Sequence, residues 1–192
     1  MSFVKNLLLR MFGRPEGVLG RLGGLIMART NRNIAARAIE LLDVRPADKI
    51  LEIGFGPGVG IQLLAGLVSS SRAVGIDYSA EMVAQARVRN VDAIRAGKVE
   101  LRRGSAESLP FENDTFDKVL AINSMQVWPD IVAGLRETWR VVKPGGRIVF
   151  GFTRYSGQPK DGLAEMLTAA GFAAVQIVDI DQDFCALAIK PD

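Results

Sequence analysis

Apolar positions along the chain alternate between short solid runs and helical stripes. The runs at 49–53 (KILEI), 73–77 (AVGID), 99–102 (VELR) and 117–122 (DKVLAI) read as buried strands. Between them lie helical patterns: Asn33–Leu42 with Asn33 as N-cap, 58–68, Ser79–Arg95 capped by Ser79, and a helix from Asp130 or Ile131 to Val141. Lys143-Pro144-Gly145-Gly146 marks a tight turn into a fifth strand that ends at Phe152. A helix over 161–170 follows, with Gly171 at its C-terminus. Ala173–Ile180 and Phe184–Ile189 close the chain as two successive strands, turning at Asp181-Gln182-Asp183. Strands that alternate with helices and then pair at the end predict a three-layer α/β sandwich around a mostly parallel sheet.

The first thirty-five residues read as a separate helical segment preceding a domain over 36–192. Phe3, Val4, Leu7, Leu8, Met11 and Phe12 share one helical face, Gly13-Arg14-Pro15 ends it, and a glycine-interrupted apolar stretch runs from Val18 to Met27. Residues 1–37 carry seven basic side chains and one acidic, a net of +6; the whole chain is +3, so the remainder is −3. The basic pI thus describes the N-terminal segment and not the body. A lid docked on the domain is the favoured reading. Peripheral contact of residues 3–27 with an anionic membrane is the alternative. A nucleic-acid arm is disfavoured, because no interleaved aromatics accompany the charge.

Composition removes several chemistries. The 192 residues contain no histidine, which takes away the usual general base and the commonest metal ligand. One cysteine, Cys185, cannot form an internal disulfide or a zinc site and lies in the apolar run FCALAI. No apolar run is long enough to span a bilayer, so the expected setting is cytoplasmic, with a place on the inner membrane face as the alternative.

The candidate chemistry sits in Lys49–Gly60, KILEIGFGPGVG. A strand, a glycine turn and a helix in that order bring backbone N–H groups against a nucleotide. The spacing Gly54-x-Gly56-x-Gly58 differs from the dinucleotide fingerprint, whose third glycine would fall at Val59. Glu52 precedes the first glycine by two residues, and Asp77 ends the next strand 23 residues after Gly54, where a carboxylate can accept from both ribose hydroxyls.

This acidic-x-G-x-G-x-G loop resembles motif I of the class I S-adenosylmethionine (SAM)-dependent methyltransferases. Further blocks strengthen the resemblance: GSAESLPFENDTFD at 104–117 and LRETWRVVKPGGRIVFGF at 135–152 are similar to that family's later signatures. In detail the chain looks like the methyltransferase 11, ubiquinone-biosynthesis-like group over residues 36–190. The resemblance implies a Rossmann-like seven-stranded sheet with an antiparallel last strand. It also implies SAM as cofactor, S-adenosylhomocysteine as product, and Glu52, Gly54, Gly56, Gly58, Asp77, Tyr78, Ser105, Ala106, Glu107 and Asn123 as cofactor contacts. Ser105 stands where relatives carry an aspartate, and Gln126-Val127 where they often carry His-His, so no catalytic residue is assigned. Gln126, Trp128 and Tyr155 are the candidate acceptor contacts. The acceptor is expected to be a small molecule, a lipid head group or isoprenoid being second, and the protein a monomer or homodimer.

Overall fold

The computed structural model of the chain describes residues 23, 24 and 27–192. The stripe expected at Phe3–Phe12 and most of the Val18–Met27 stretch lie outside the described residues. Seven strands form one sheet: β1 (Ile50–Ile53), β2 (Ala73–Asp77), β3 (Val99–Arg103), β4 (Phe116–Ile122), β5 (Val142–Phe152), β6 (Ala173–Ile180) and β7 (Asp183–Ile189). Their order is β3-β2-β1-β4-β5-β7-β6. The first five pair in parallel, and β7 runs antiparallel to both β5 and β6.

Every residue of β1 is buried, as a strand covered on both faces requires. Its alternating side chains feed two cores. Leu51 and Ile53 join Val119 and Phe150 on one face; Ile50 joins Leu120 and Val149 on the other. Helices α1 (Arg32–Leu42), α2 (Val59–Leu67), α3 (Ala80–Arg89) and α4 (Val91–Arg95) cover the Ile50 face. Helices α5 (Ile131–Val141) and α6 (Leu163–Ala169) cover the Leu51 face. The three-layer sandwich expected from the pattern is therefore the observed architecture. In α1 the buried residues Ile34, Ala35, Ala38, Ile39 and Leu42 make one stripe, and Asp43 ends the helix in the left-handed region at φ 55°.

Two boundaries differ from the sequence reading. The N-cap of α1 is Asn31, and Asn33 lies exposed inside the helix. Residues 27–30 are already helical, so the chain bends at Asn31 instead of starting there. The helix expected over Ser79–Arg95 breaks at Asn90 into α3 and α4. Asn90 Nδ2 donates to Gly58 O at 3.1 Å and to Ala86 O at 2.9 Å, and its backbone leaves helical geometry at φ −108°, ψ 20°. The Lys143–Gly146 turn appears as a loop-out in the β4–β5 ladder: Phe116 pairs with Val142, but Lys118 pairs with Arg147. β6 carries a bulge the sequence did not signal, with Ala174 at φ 50° where the register against β7 shifts.

Candidate functional site

The strand order reverses between β1 and β4, and an open α/β sheet has its binding crevice at the carboxyl ends of the strands flanking such a point. A cavity lies there. It is lined by the loop after β1, the end of β2, residues 104–107, the start of α1 and residues 122–124 and 127–129.

The loop after β1 is held from both sides. The Gly54 N–H donates to Ile76 O at 2.7 Å, which carries the chain past β2. Gly56 follows with φ +52°, and a Cβ there would stand in open space with no protein atom within 4 Å. Its bare backbone thus faces the cavity. The Gly56 N–H donates to Asp77 Oδ2 at 2.8 Å, and the Ser79 N–H donates to Asp77 Oδ1 at 2.8 Å. Behind the loop, Arg89 Nε donates to Pro57 O at 2.8 Å beside the Asn90 bond to Gly58 O.

Glu52 is 2% exposed and sits under the first turn of α2. A Cβ on Gly60 would overlap both of its oxygens, so only glycine lets the helix start this close. Glu52 Oε2 makes no hydrogen bond among the described residues. Burial, then the Asp77 charge, push the Glu52 carboxyl up to about 8. Burial likewise raises Asp77 to about 6, opposed by the Ser79 and Gly56 N–H bonds. Two carboxylates thus face one cavity in need of a positive partner.

The rest of the described lining is neutral apart from Glu107. Asn123, at φ 48° just past β4, donates through Nδ2 to Asn31 Oδ1 and to Thr153 Oγ1, both at 3.0 Å. Its Oδ1 accepts from the Thr153 N–H at 2.8 Å. Trp128 Nε1 donates to Ser124 Oγ at 3.1 Å, and that hydroxyl donates to Ile53 O at 2.8 Å. The indole is thereby fixed to the backbone that begins the glycine loop. On the β3 side, the Ser105 hydroxyl donates to Glu107, whose other oxygen accepts from the Asp130 N–H at 3.4 Å.

Of the residues singled out from the sequence, Glu52, Gly54, Gly56, Asp77, Tyr78, Ser105, Ala106, Glu107, Asn123 and Trp128 line this cavity. Three sit elsewhere. Gly58 packs against Ala86 and Asn90 of the neighbouring helix. Gln126 is not part of the lining, and its Oε1 is buried without a hydrogen bond among the described residues. Tyr155 is 74% exposed with the Arg154 guanidinium over its ring, also away from the cavity. Sequence reasoning passed over Asn31, Gly60 and Ser124, which border the same space. Gly60 had a signal, as the last of the four alternating glycines; Asn31 and Ser124 had none, because Asn31 is engaged by Asn123, 92 residues on, and Ser124 bonds the Ile53 carbonyl, 71 residues back.

Among the described residues no cluster of three or more acidic or cysteine side chains is placed to hold a metal ion. Cys185 is buried, and burial followed by the Asp183 charge pushes its thiol up to about 12, so it is no nucleophile at neutral pH. Among the described residues no helix is long and apolar enough to cross a membrane.

The carboxylates lining the cavity suit a cationic nucleoside. Glu52 has an unpartnered buried oxygen, Asp77 keeps lone pairs beyond its two backbone bonds, and Gly56 gives a backbone edge without a side chain. SAM carries a sulfonium, an ammonium and a ribose that suit this donor set.

Comparison with known proteins points the same way. The methyltransferase 11 family model, described as a methyltransferase domain, matches residues 51–150. The methyltransferase YdaC of Bacillus subtilis (strain 168) is 30% identical over 187 residues, covering 88% of this chain and 98% of that protein. A demethylmenaquinone methyltransferase of Bacillus cereus (strain AH187) is 37% identical over 112 residues; the match spans 58% of this chain but only 47% of that enzyme. Among solved structures, phosphoethanolamine N-methyltransferase 2 of Haemonchus contortus, in complex with phosphomonomethylethanolamine and S-adenosylhomocysteine, superposes over the whole of this chain and 61% of its own. Its TM-score is 0.78 at 15% identity, a likeness of fold alone.

Proposed function

The chain belongs to the methyltransferase 11 family of SAM-dependent methyltransferases, and from that premise we propose that it methylates a small-molecule acceptor seated beside Trp128. The observation that carries this reading is one cavity at the switch point that is lined by the glycine loop, by the carboxylates Glu52 and Asp77, and by the anchored Trp128 indole.

In this reading Asp77 accepts from the ribose, and the Gly54–Gly56 backbone lies along the amino-acid portion of the cofactor. Glu52 supplies negative charge behind that loop. When bound, SAM provides a methyl group on a sulfonium, which is a good leaving group. The chain's own contribution is then mainly geometric. The fixed glycine loop and the fixed Trp128 wall hold two ligands in one orientation inside a partly enclosed site. Orientation of this kind is worth about 7–11 kcal/mol in favourable cases. No side chain is assigned as base.

Residues 27–35 support the reading of the N-terminal segment as a lid, because Met27, Asn31 and Ala35 border the cavity. The second reading, an acceptor carried by a membrane lipid, draws on the charge and apolar stripe of residues 3–27. The names of the relatives point to two kinds of acceptor: a menaquinone precursor and a phosphorylated amine. Incubating the full chain with methyl-labelled SAM and a panel of small molecules tests the proposal. Transfer of label to a small acceptor supports it; label appearing only on vesicle lipid, protein or RNA overturns the small-molecule part.

A further inference from the structure

The glycine loop is held from behind by two side chains that do not border the cavity. Gly54, Gly56 and Gly58 all have positive φ, and none carries a side chain to restrict its backbone. Left alone, such a loop samples many shapes, and a ligand that needs one of them binds more weakly. Helix α3 meets the loop at both of its ends. Asp77, just ahead of α3, accepts from the Gly56 N–H. At the far end, Arg89 Nε donates to Pro57 O at 2.8 Å and Asn90 Nδ2 donates to Gly58 O at 3.1 Å. Pro57 is part of the cavity lining; Arg89 and Asn90 are not.

These two bonds fix successive peptide groups. With the carbonyls of Pro57 and Gly58 turned to α3, planar trans peptides turn the N–H groups of Gly58 and Val59 the other way. The Gly58 N–H closes the turn on Phe55 O at 3.0 Å, and Val59 borders the cavity. Asn90 is 3% exposed and breaks the helix between α3 and α4, yet its Oδ1 has no hydrogen bond among the described residues. Its donors are the part in use: turned over, the amide would set its oxygen against Gly58 O and Ala86 O. A Cβ on Gly58 would stand 2.7 Å from both Ala86 Cβ and Asn90 Nδ2, so glycine at 58 is what lets α3 come this close.

Resting on the methyltransferase reading above, we infer that Arg89 and Asn90 are positioning residues of the cofactor site. From outside the cavity they set the orientation of the loop peptides, and the cofactor gains affinity from a loop that is already in shape.

Two measurements on the full-length chain test this. One is calorimetry with S-adenosylhomocysteine. The other is hydrogen–deuterium exchange of the ligand-free protein, read on peptides over residues 54–59 and over β5. Arg89→Ala and Asn90→Ala should each weaken binding by about tenfold and speed exchange in the loop while β5 stays protected. Arg89→Lys, which returns a charge and a donor, should recover part of both. Leu167→Val, in the core on the other face of the sheet, should lower the melting temperature and leave the affinity unchanged. Arg89 is half-buried, so Arg89→Ala decides the matter if Asn90→Ala does not fold. Unchanged affinity in folded Arg89→Ala overturns the inference, whether or not loop exchange rises. So does exchange that rises in β5 as much as in the loop, or an equal loss of affinity in Leu167→Val, since either would make the effect one of general stability. If the unaltered chain binds no S-adenosylhomocysteine, the methyltransferase reading falls and the inference falls with it.

Discussion

The Gly56 N–H donates to Asp77 Oδ2 at 2.8 Å, and this bond ties the loop after β1 to the end of β2, 21 residues further on. The same carboxylate accepts from Ser79 N–H at 2.8 Å, so Asp77 is fixed in place before any ligand arrives. A carboxylate held in this way is preorganised to accept from a ribose without first losing rotamer freedom. Asp77→Ala should therefore weaken SAM binding by about 10- to 150-fold, the equivalent of losing roughly 1.5–3 kcal/mol of charge-assisted hydrogen bonding. Calorimetry measures it; unchanged affinity in the folded variant would show that Asp77 holds only the loop.

The pH dependence follows from Glu52 and Asp77. Both carboxyls titrate above their ordinary values in the folded protein, at about 8 and about 6. The folded chain therefore holds protons more tightly than the unfolded one, so this contribution to stability is complete below the unfolded values. It is lost as pH rises, from 4.5 to about 8 for Glu52 and from 3.8 to about 6 for Asp77. The ligand-free melting temperature should fall across that span, and Glu52→Gln should flatten the fall above pH 6. A cationic ligand has the opposite preference, since it pairs with the ionised carboxylates. SAM affinity should rise with pH over the same range, with proton release seen by calorimetry in buffers of different ionisation enthalpy. Binding without proton release at pH 6 would contradict this.

Gly60 and Glu52 are coupled sterically. A Cβ at position 60 would overlap both carboxyl oxygens, so Gly60→Ala must displace the buried Glu52 carboxyl or the first turn of α2. The expected cost is about 1–3 kcal/mol. Glu52→Ala in the same chain should recover part of it, giving a clear interaction energy in a double-mutant cycle. Chemical denaturation of the four proteins gives the number, and simple additivity would deny the contact.

Ser124 joins the indole wall to the glycine loop. Ser124→Ala leaves the Trp128 N–H and the Ile53 carbonyl without that partner in a buried position. Each orphaned group costs about 1–3 kcal/mol unless water reaches it. The melting temperature should drop and Trp128 emission should shift, whereas Ser124→Thr, which keeps the hydroxyl, should retain more of both. Equal losses in the two variants would mean that volume, not hydrogen bonding, matters there.

The strands and the glycine loop were readable because their determinants are local. A buried parallel strand needs a solid apolar run, and a turn against a ligand needs glycines at set positions, as in Ile50–Ile53 and Gly54–Gly56. The break at Asn90 was not readable. The flanking residues are all acceptable in a helix, and the cause is a side-chain bond to Gly58 O, 32 residues away. The shift from Asn33 to Asn31 has the same origin, since Asn31 is engaged by Asn123 across 92 residues. In the candidate site, spacing found the glycine loop with Glu52 and Asp77 but could not tell which loop side chains turn inward. Gln126 and Trp128 are two residues apart, yet only Trp128 borders the cavity, because its indole is drawn to Ser124.

Isothermal titration of the full chain with S-adenosylhomocysteine and with NAD, repeated on Gly56→Val, is the most direct test of a SAM site built on this loop. The structure predicts one S-adenosylhomocysteine per chain, no measurable NAD binding, and loss of the first in a folded Gly56→Val protein, whose new side chain would project into the cavity. NAD binding in the absence of S-adenosylhomocysteine binding, or S-adenosylhomocysteine affinity untouched by Gly56→Val, would contradict it.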